Sequence, residues 1–160
     1  MKRTVLPAMV CLFILFSFVT PQQTGTKAAA IERGKKVYLA TCLACHQADA
    51  GGVQNMNPPL IKTKWVLGDK KALAKIVLKG LKGGEINIDG DTFSNPMPAQ
   101  EGSLTNQQIA DVLTYVRSSF GNSATMVTLA DVAATRTRLN QPAAKTAAAP
   151  VKKAAPQKKP

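Results

Sequence analysis

One histidine, three cysteines and one tryptophan are the whole supply, in this 160-residue chain, of the side chains that most often carry chemistry. Acids are scarce as well: nine Asp and Glu stand against 21 Lys and Arg, for a net charge of +12. A single histidine excludes a site built from several imidazoles. Cys11 lies in an N-terminal apolar stretch, so the body of the chain keeps only Cys42, Cys45 and His46. Three adjacent ligands do not close a four-coordinate structural zinc site. Aromatic residues make up 5% of the chain, which leaves a small body short of the bulk that fills a core. No apolar run reaches the about 20 residues that a membrane-spanning helix needs. The longest, Val5 to Val19, is shorter and contains Ser17.

That run comes after Lys2 and Arg3, the order of an export signal. Residues 1–26 are therefore expected to be a signal peptide, with an uncleaved N-terminal anchor as the alternative. The protein is expected to be exported and periplasmic, with membrane association following from a retained anchor. Residues 140–160 are nearly all Ala, Pro, Lys, Gln and Thr, with Lys145, Lys152, Lys153, Lys158 and Lys159 and no acid. Such a composition buries no core and reads as a disordered tail. It is either simply solvated or a basic tether to an anionic membrane or partner. Residues 27–122 are left as the folded domain and 123–139 as an extension. Thr128, with Asp131 three residues on, is suited to open a helix there.

Cys42-Leu43-Ala44-Cys45-His46 is the most specific signal present. Two thiols two residues apart, with histidine immediately after, are the attachment site for a c-type haem. Each sulfur adds to one vinyl group of the porphyrin, and the histidine lies beneath the iron as its proximal ligand. The competing readings are a thiol-redox pair and chance. A thioredoxin-like pair needs a βαβ surround, and none is visible. Export agrees independently with haem attachment, because in bacteria the covalent haem is assembled outside the cytoplasm.

The remaining elements read around that motif. Lys27 to Thr41 is expected to be helical, with Ile31, Gly34 and Tyr38 on one face and Gly34 open to a close neighbour. Gln47 to Leu60 is a loop. Its Pro58-Pro59 is either a plain turn or the source of the carbonyl that a metal-bound histidine ring needs on its other nitrogen. Lys70 to Leu81 is an amphipathic helix stopped by Gly83-Gly84. Its Lys71, Lys75, Lys79 and Lys82 form a stripe opposite Leu73, Ile76 and Val77, either a solvated face or a field that steers an acidic partner. Glu85 to Phe93 is expected to form a short hairpin turning at Asp89-Gly90. Thr105 and Gln108 form a capping box for a helix with the apolar stripe Ile109, Val112, Leu113 and Val116, stopped by Gly121-Asn122. With no second histidine, a sixth ligand for iron must be sought among Met56, Met97 and Met126. Met97 is favoured because Pro96 and Pro98 stiffen its loop.

In this order of features the chain resembles class I cytochromes c: Gly34 and Tyr38, Cys42 to His46, Pro58-Pro59-Leu60 with Trp65, then Met97-Pro98-Ala99 and the closing helix Ile109 to Arg117. The resemblance implies an all-α fold wrapped around one covalent haem c and its iron, with first and last helices packed together. Carried over, Cys42 and Cys45 are the thioether sites, His46 the proximal ligand and Met97 the distal one. Pro59 is the nearest match for the carbonyl on the histidine ring. Leu60 joins the cofactor-binding set, and Trp65 resembles a residue that contacts a haem propionate. Gly80 to Gly83 and the Met-Pro loop are similar to monohaem cytochromes that accompany periplasmic dehydrogenases.

The expected function is electron transport by a non-enzymatic one-electron carrier. It would work between a dehydrogenase or reductase and a terminal acceptor such as an oxidase, partners with acidic surfaces, and would bind no nucleic acid. The alternatives are a haem enzyme or gas sensor with an open distal site and a haem-free CxxC thiol-redox protein.

Overall fold

The structure, a computed structural model, describes residues 25–82 and 85–141. Most of the expected signal segment, Gly83-Gly84 and the basic tail from residue 142 lie outside the described residues.

Helix α1 spans Lys27–Val37 and starts at Thr26, whose side chain accepts the Ala29 N–H. The expected helix to Thr41 keeps its path but changes its winding. Tyr38–Cys42 forms a π-helical turn, and Leu43–His46 tightens again into the short α2. A π turn holds more residues than an α turn, so it rotates the haem-motif residues of α2 about the helix axis. Tyr38, 0% exposed, donates its hydroxyl to the Gln47 carbonyl at 2.7 Å and so fastens the start of this segment to its end.

After the loop come α3, Lys64–Leu67, and α4, Lys70–Lys79, each capped by the side chain before it, Thr63 and Asp69. Helix α4 stops at Gly80, earlier than the expected Gly83-Gly84. Gly80 has φ +69°, and a Cβ there would lie 2.3 Å from the Met97 carbonyl oxygen. Both the sign of φ and the close backbone demand glycine. Strands β1, Ile86–Ile88, and β2, Asp91–Phe93, pair antiparallel about Asp89 and Gly90, both at positive φ, which is the turn that Asp-Gly favours.

Helix α5, Asn106–Val116, opens with the Thr105–Gln108 capping box. Its α winding ends at Val116, before Gly121-Asn122, and the chain turns back through Phe120 at positive φ. Helix α6, Leu129–Asn140, has its own capping box from Thr128 and Asp131.

Helix α1 packs on α5, and α4 and α6 pack on each other and on α5. The α1–α5 crossing is closest at Gly34, where a Cβ would lie 2.1 Å from the Asp111 carbonyl oxygen. Arg33 grips the buried Asp111 carboxylate with two hydrogen bonds of 2.7 Å. One apolar cluster joins α4, α5 and α6 through residues such as Leu78, Ile109 and Val132. A second joins Tyr38, Ala50 and Val66 to Val112 and Val116 of α5. The fold is thus all-α with one small hairpin.

Candidate functional site

The two apolar clusters do not close on each other. Between them is an apolar cavity of about 970 Å³, open mouth included. The end of the π turn and helix α2 bring Cys42, Cys45 and His46 to one side. The next loop and α3 bring Pro59, Leu60 and Trp65, and the segment after the hairpin brings Met97. All seven expected site residues line this one space. Leu73, Ile76 and Val77, the α4 face opposite the lysines, make an apolar wall, and Val112, Leu113 and Val116 of α5 add to it.

His46 is buried, with Nδ1 3.0 Å from the Pro58 carbonyl oxygen. The ring partner is thus Pro58, one residue before the expected Pro59. The physical reason lies in the peptide: a proline at 59 restricts residue 58 to extended backbone and so aims its carbonyl. With Nδ1–H donating to that oxygen, Nε2 keeps its lone pair free for a metal. Burial lowers the His46 pKa below its usual value, with the Pro58 bond pulling the other way, so the ring is neutral near pH 7. Burial pushes the Cys42 thiol up to about 11, and neighbouring Cys45 adds to the shift. A thiol held protonated is a poor nucleophile for disulfide exchange.

Met97 is held through its backbone. Its N–H donates to the Leu81 carbonyl at 3.0 Å, and its own carbonyl accepts from the Leu81 N–H at 2.9 Å. The same segment is tied to the loop that carries Pro58. Ser94 and Asn95 N–H groups donate to the Asn55 and Met56 carbonyls, and the Asn95 side chain donates to Asn57 Oδ1 at 3.2 Å. Beyond Met97, the Gln100 and Glu101 N–H groups satisfy the last carbonyls of α4, those of Val77 and Leu78. Of the three candidate methionines, Met97 lines the cavity, whereas Met126 does not and Met56 is 47% exposed. The lysine stripe is thinner than expected. Lys71, Lys75 and Lys82 are exposed, but Lys79 pairs with Glu101 at 2.7 Å.

Two supports escaped sequence reasoning. The buried Arg117 guanidinium donates to the carbonyls of Val66, Gly68 and Thr125, and so fixes the helix that carries Trp65. Asn122 donates to the Leu60 and Val116 carbonyls at 2.8 and 2.7 Å and accepts the Lys62 N–H at 2.7 Å. An arginine after an apolar stripe and an asparagine after a glycine read only as helix-end signals, and no spacing marks them as props of a distant loop.

Residues 31–120 match the model of the family described as Cytochrome c. The chain belongs to the cytochrome c family. Among similar proteins is the cytochrome c subunit of alcohol dehydrogenase (quinone) from Gluconacetobacter polyoxogenes, 37% identical over 101 residues, which are 62% of this chain and 21% of that one. The gluconate 2-dehydrogenase cytochrome c subunit of Pantoea cypripedii is 35% identical over 111 residues, 66% of this chain and 24% of that one. Cytochrome c6 of Porphyra purpurea is 34% identical over 125 residues, 74% of this chain and 94% of its own length. The chain thus spans about a fifth to a quarter of the dehydrogenase subunits it matches.

As a cytochrome c, the chain is an electron-transfer protein, a carrier or a carrier subunit, whose cofactor is covalently bound haem c with its iron. The donor set fits that group: two uncrosslinked thiols, an imidazole with one nitrogen engaged and the other free, and a thioether, around an apolar cavity. Among the described residues, no helix is long and apolar enough to cross a membrane.

Proposed function

We propose that this cytochrome c is an exported one-electron carrier in which Cys42 and Cys45 hold the haem and His46 and Met97 are its axial ligands. The observation that carries the reading is the convergence of these four side chains on one apolar cavity. When bound, the haem supplies a one-electron ferric/ferrous couple. The chain supplies everything else. Pro58 orients the His46 ring and raises its basicity through the Nδ1 hydrogen bond. The Leu81 pairing holds the Met97 backbone, and Met in place of a second His raises the potential. The apolar walls from α4 and α5 would keep water from the cofactor. With His46 and Met97 both holding the iron, no position on it would be left for a substrate.

Two similar proteins are named as cytochrome c subunits of dehydrogenases. That supports a dehydrogenase or reductase as donor, with a terminal oxidase or similar acceptor downstream. The apolar run behind Lys2 and Arg3, together with the extracytoplasmic assembly of covalent haem, supports a periplasmic location. Exposed Lys71, Lys75 and Lys82 suit an acidic partner surface, and the basic tail suits an anionic membrane surface.

The test is the visible spectrum of the purified full-length protein, with its mass to report haem addition and the leader cut. The ferric protein is expected to show the long-wavelength charge-transfer band of methionine sulfur on iron, and Met97→Ala to abolish it. An unchanged ferric spectrum in Met97→Ala overturns the axial assignment.

A further inference from the structure

Helix α6 lies beyond the matched residues 31–120, yet it reaches back to the segment that carries Met97. The link is one side chain. Arg136 Nε donates to Asn106 Oδ1 at 2.6 Å, one Nη donates to the Glu101 carbonyl at 2.7 Å, and the other to the Leu104 carbonyl at 3.0 Å. Glu101 and Leu104 belong to the turn that leaves Met97 and covers the C-terminal end of α4, where the Leu104 N–H closes back on the Gln100 carbonyl at 2.9 Å. Asn106 is the first residue of α5. One guanidinium thus holds three points along the exit of the distal segment. Its planar fork meets several acceptors at once, which a lysine ammonium on a flexible stem cannot reproduce.

Helix α6 is itself firmly seated. Val132, one turn before Arg136, is fully buried against the α4–α5 cluster. Lys70 of α4 pairs with Asp131 at 2.7 Å. The Thr114 hydroxyl and the Val127 backbone exchange hydrogen bonds just ahead of the helix. The arginine therefore acts from a fixed base on the segment that follows Met97. Leu81 holds the near side of Met97 and the Asn55–Asn57 loop the entry, so Arg136 supplies the hold on the exit.

We infer that α6 is a clamp on the distal loop and that Arg136 is its positioning residue, keeping Met97 in place against competing ligands. The inference rests on the reading of Met97 as an axial ligand. An interaction of this kind is worth about one to two net hydrogen bonds, so its loss favours the opened loop by about tenfold or more.

The experiment titrates the ferric, haem-bound, full-length protein with imidazole and tracks loss of the methionine–iron band. Arg136→Ala is expected to bind imidazole about tenfold or more tightly than the unmutated protein, and Arg136→Lys to behave likewise. Asn106→Ala, which removes one acceptor and leaves α6 intact, is expected to shift affinity in the same direction by less. Thermal unfolding of the same samples gives the fraction folded, and affinity is compared only where folding is complete. If Arg136→Ala and Asn106→Ala bind imidazole within twofold of the unmutated protein while Met97→Ala binds it far more tightly, the clamp is overturned and the Met97 reading stands. If the unmutated protein lacks the band, the Met97 reading fails and the clamp with it.

Discussion

At Gly34 the α1–α5 crossing leaves no room for a side chain: a Cβ would lie 2.1 Å from one backbone oxygen and 2.8 Å from the Tyr115 Cβ. Neither neighbour is the free end of a flexible chain, so the helices themselves must part. Gly34→Ala is expected to cost about 3 kcal/mol, at the upper end of overpacking effects, read as a lower denaturation midpoint with the haem spectrum kept. Pro58 and Pro59 make a subtler pair. The group that meets His46 is a backbone oxygen, which Pro58→Ala retains, whereas Pro59→Ala frees residue 58 from its extended backbone. Losing the bond lowers the basicity of the imidazole and its preference for ferric iron. Pro59→Ala is therefore expected to raise the reduction potential, and Pro58→Ala to change it less, by spectroelectrochemical titration. The motif Cys42 to His46 was legible at this scale because its chemistry is contained in five consecutive residues. The shift from Pro59 to Pro58 was not, because either carbonyl satisfies the spacing and only ring placement chooses.

Helix ends show which local signals suffice. Both capping boxes and the Asp89-Gly90 turn form where the sequence puts them, since each needs only atoms within three residues. The end of α4 moves from Gly83-Gly84 to Gly80 because the Met97 loop packs on that carbonyl end. Tyr38 to Thr41 reads as the end of an α-helix but winds, with Cys42, as π, since the two periodicities differ by only about a residue per turn. Helix α6 carries a pH dependence of its own. Burial alone would raise the Asp131 pKa, but hydrogen bonds from Lys70 and Thr128 outweigh it and hold the carboxyl at about 2. That lies below the about 3.9 of an unfolded chain, so the stabilisation is complete above about pH 4 and is lost as pH falls toward about 2. Asp131→Asn is expected to lower the thermal midpoint at pH 6, and the gap to close as pH approaches 2. A gap unchanged with pH would contradict the assignment.

Across the whole molecule, the cavity splits what would otherwise be one core. The walls from α4, α5 and the Pro58–Leu60 loop face this space rather than one another, so a bound prosthetic group would complete their packing. A domain of this size with few aromatics has little to spare. Cys42→Ala with Cys45→Ala, purified without haem, is expected to lose much of its helical circular dichroism and its cooperative thermal transition. A cooperative, fully helical haem-free protein would show that the two clusters suffice alone. At the same scale, the exposed lysines predict electron transfer with an acidic partner that slows as ionic strength rises. A rate independent of salt would remove Lys71, Lys75 and Lys82 from the docking surface. The sequence by itself determined the haem motif, the helices α1, α4, α5 and α6, the two capping boxes, the hairpin turn and the methionine to favour, since these rest on residue chemistry and neighbours a few positions apart. Only the tertiary structure decided which carbonyl meets His46, that Arg117 and Asn122 prop the segment from Leu60 to Gly68, that Lys79 is spent on Glu101, and that Arg136 grips the exit from Met97. Those contacts join positions far apart in the chain, and their partners are mostly backbone atoms, which every residue carries and no pattern of side chains can mark.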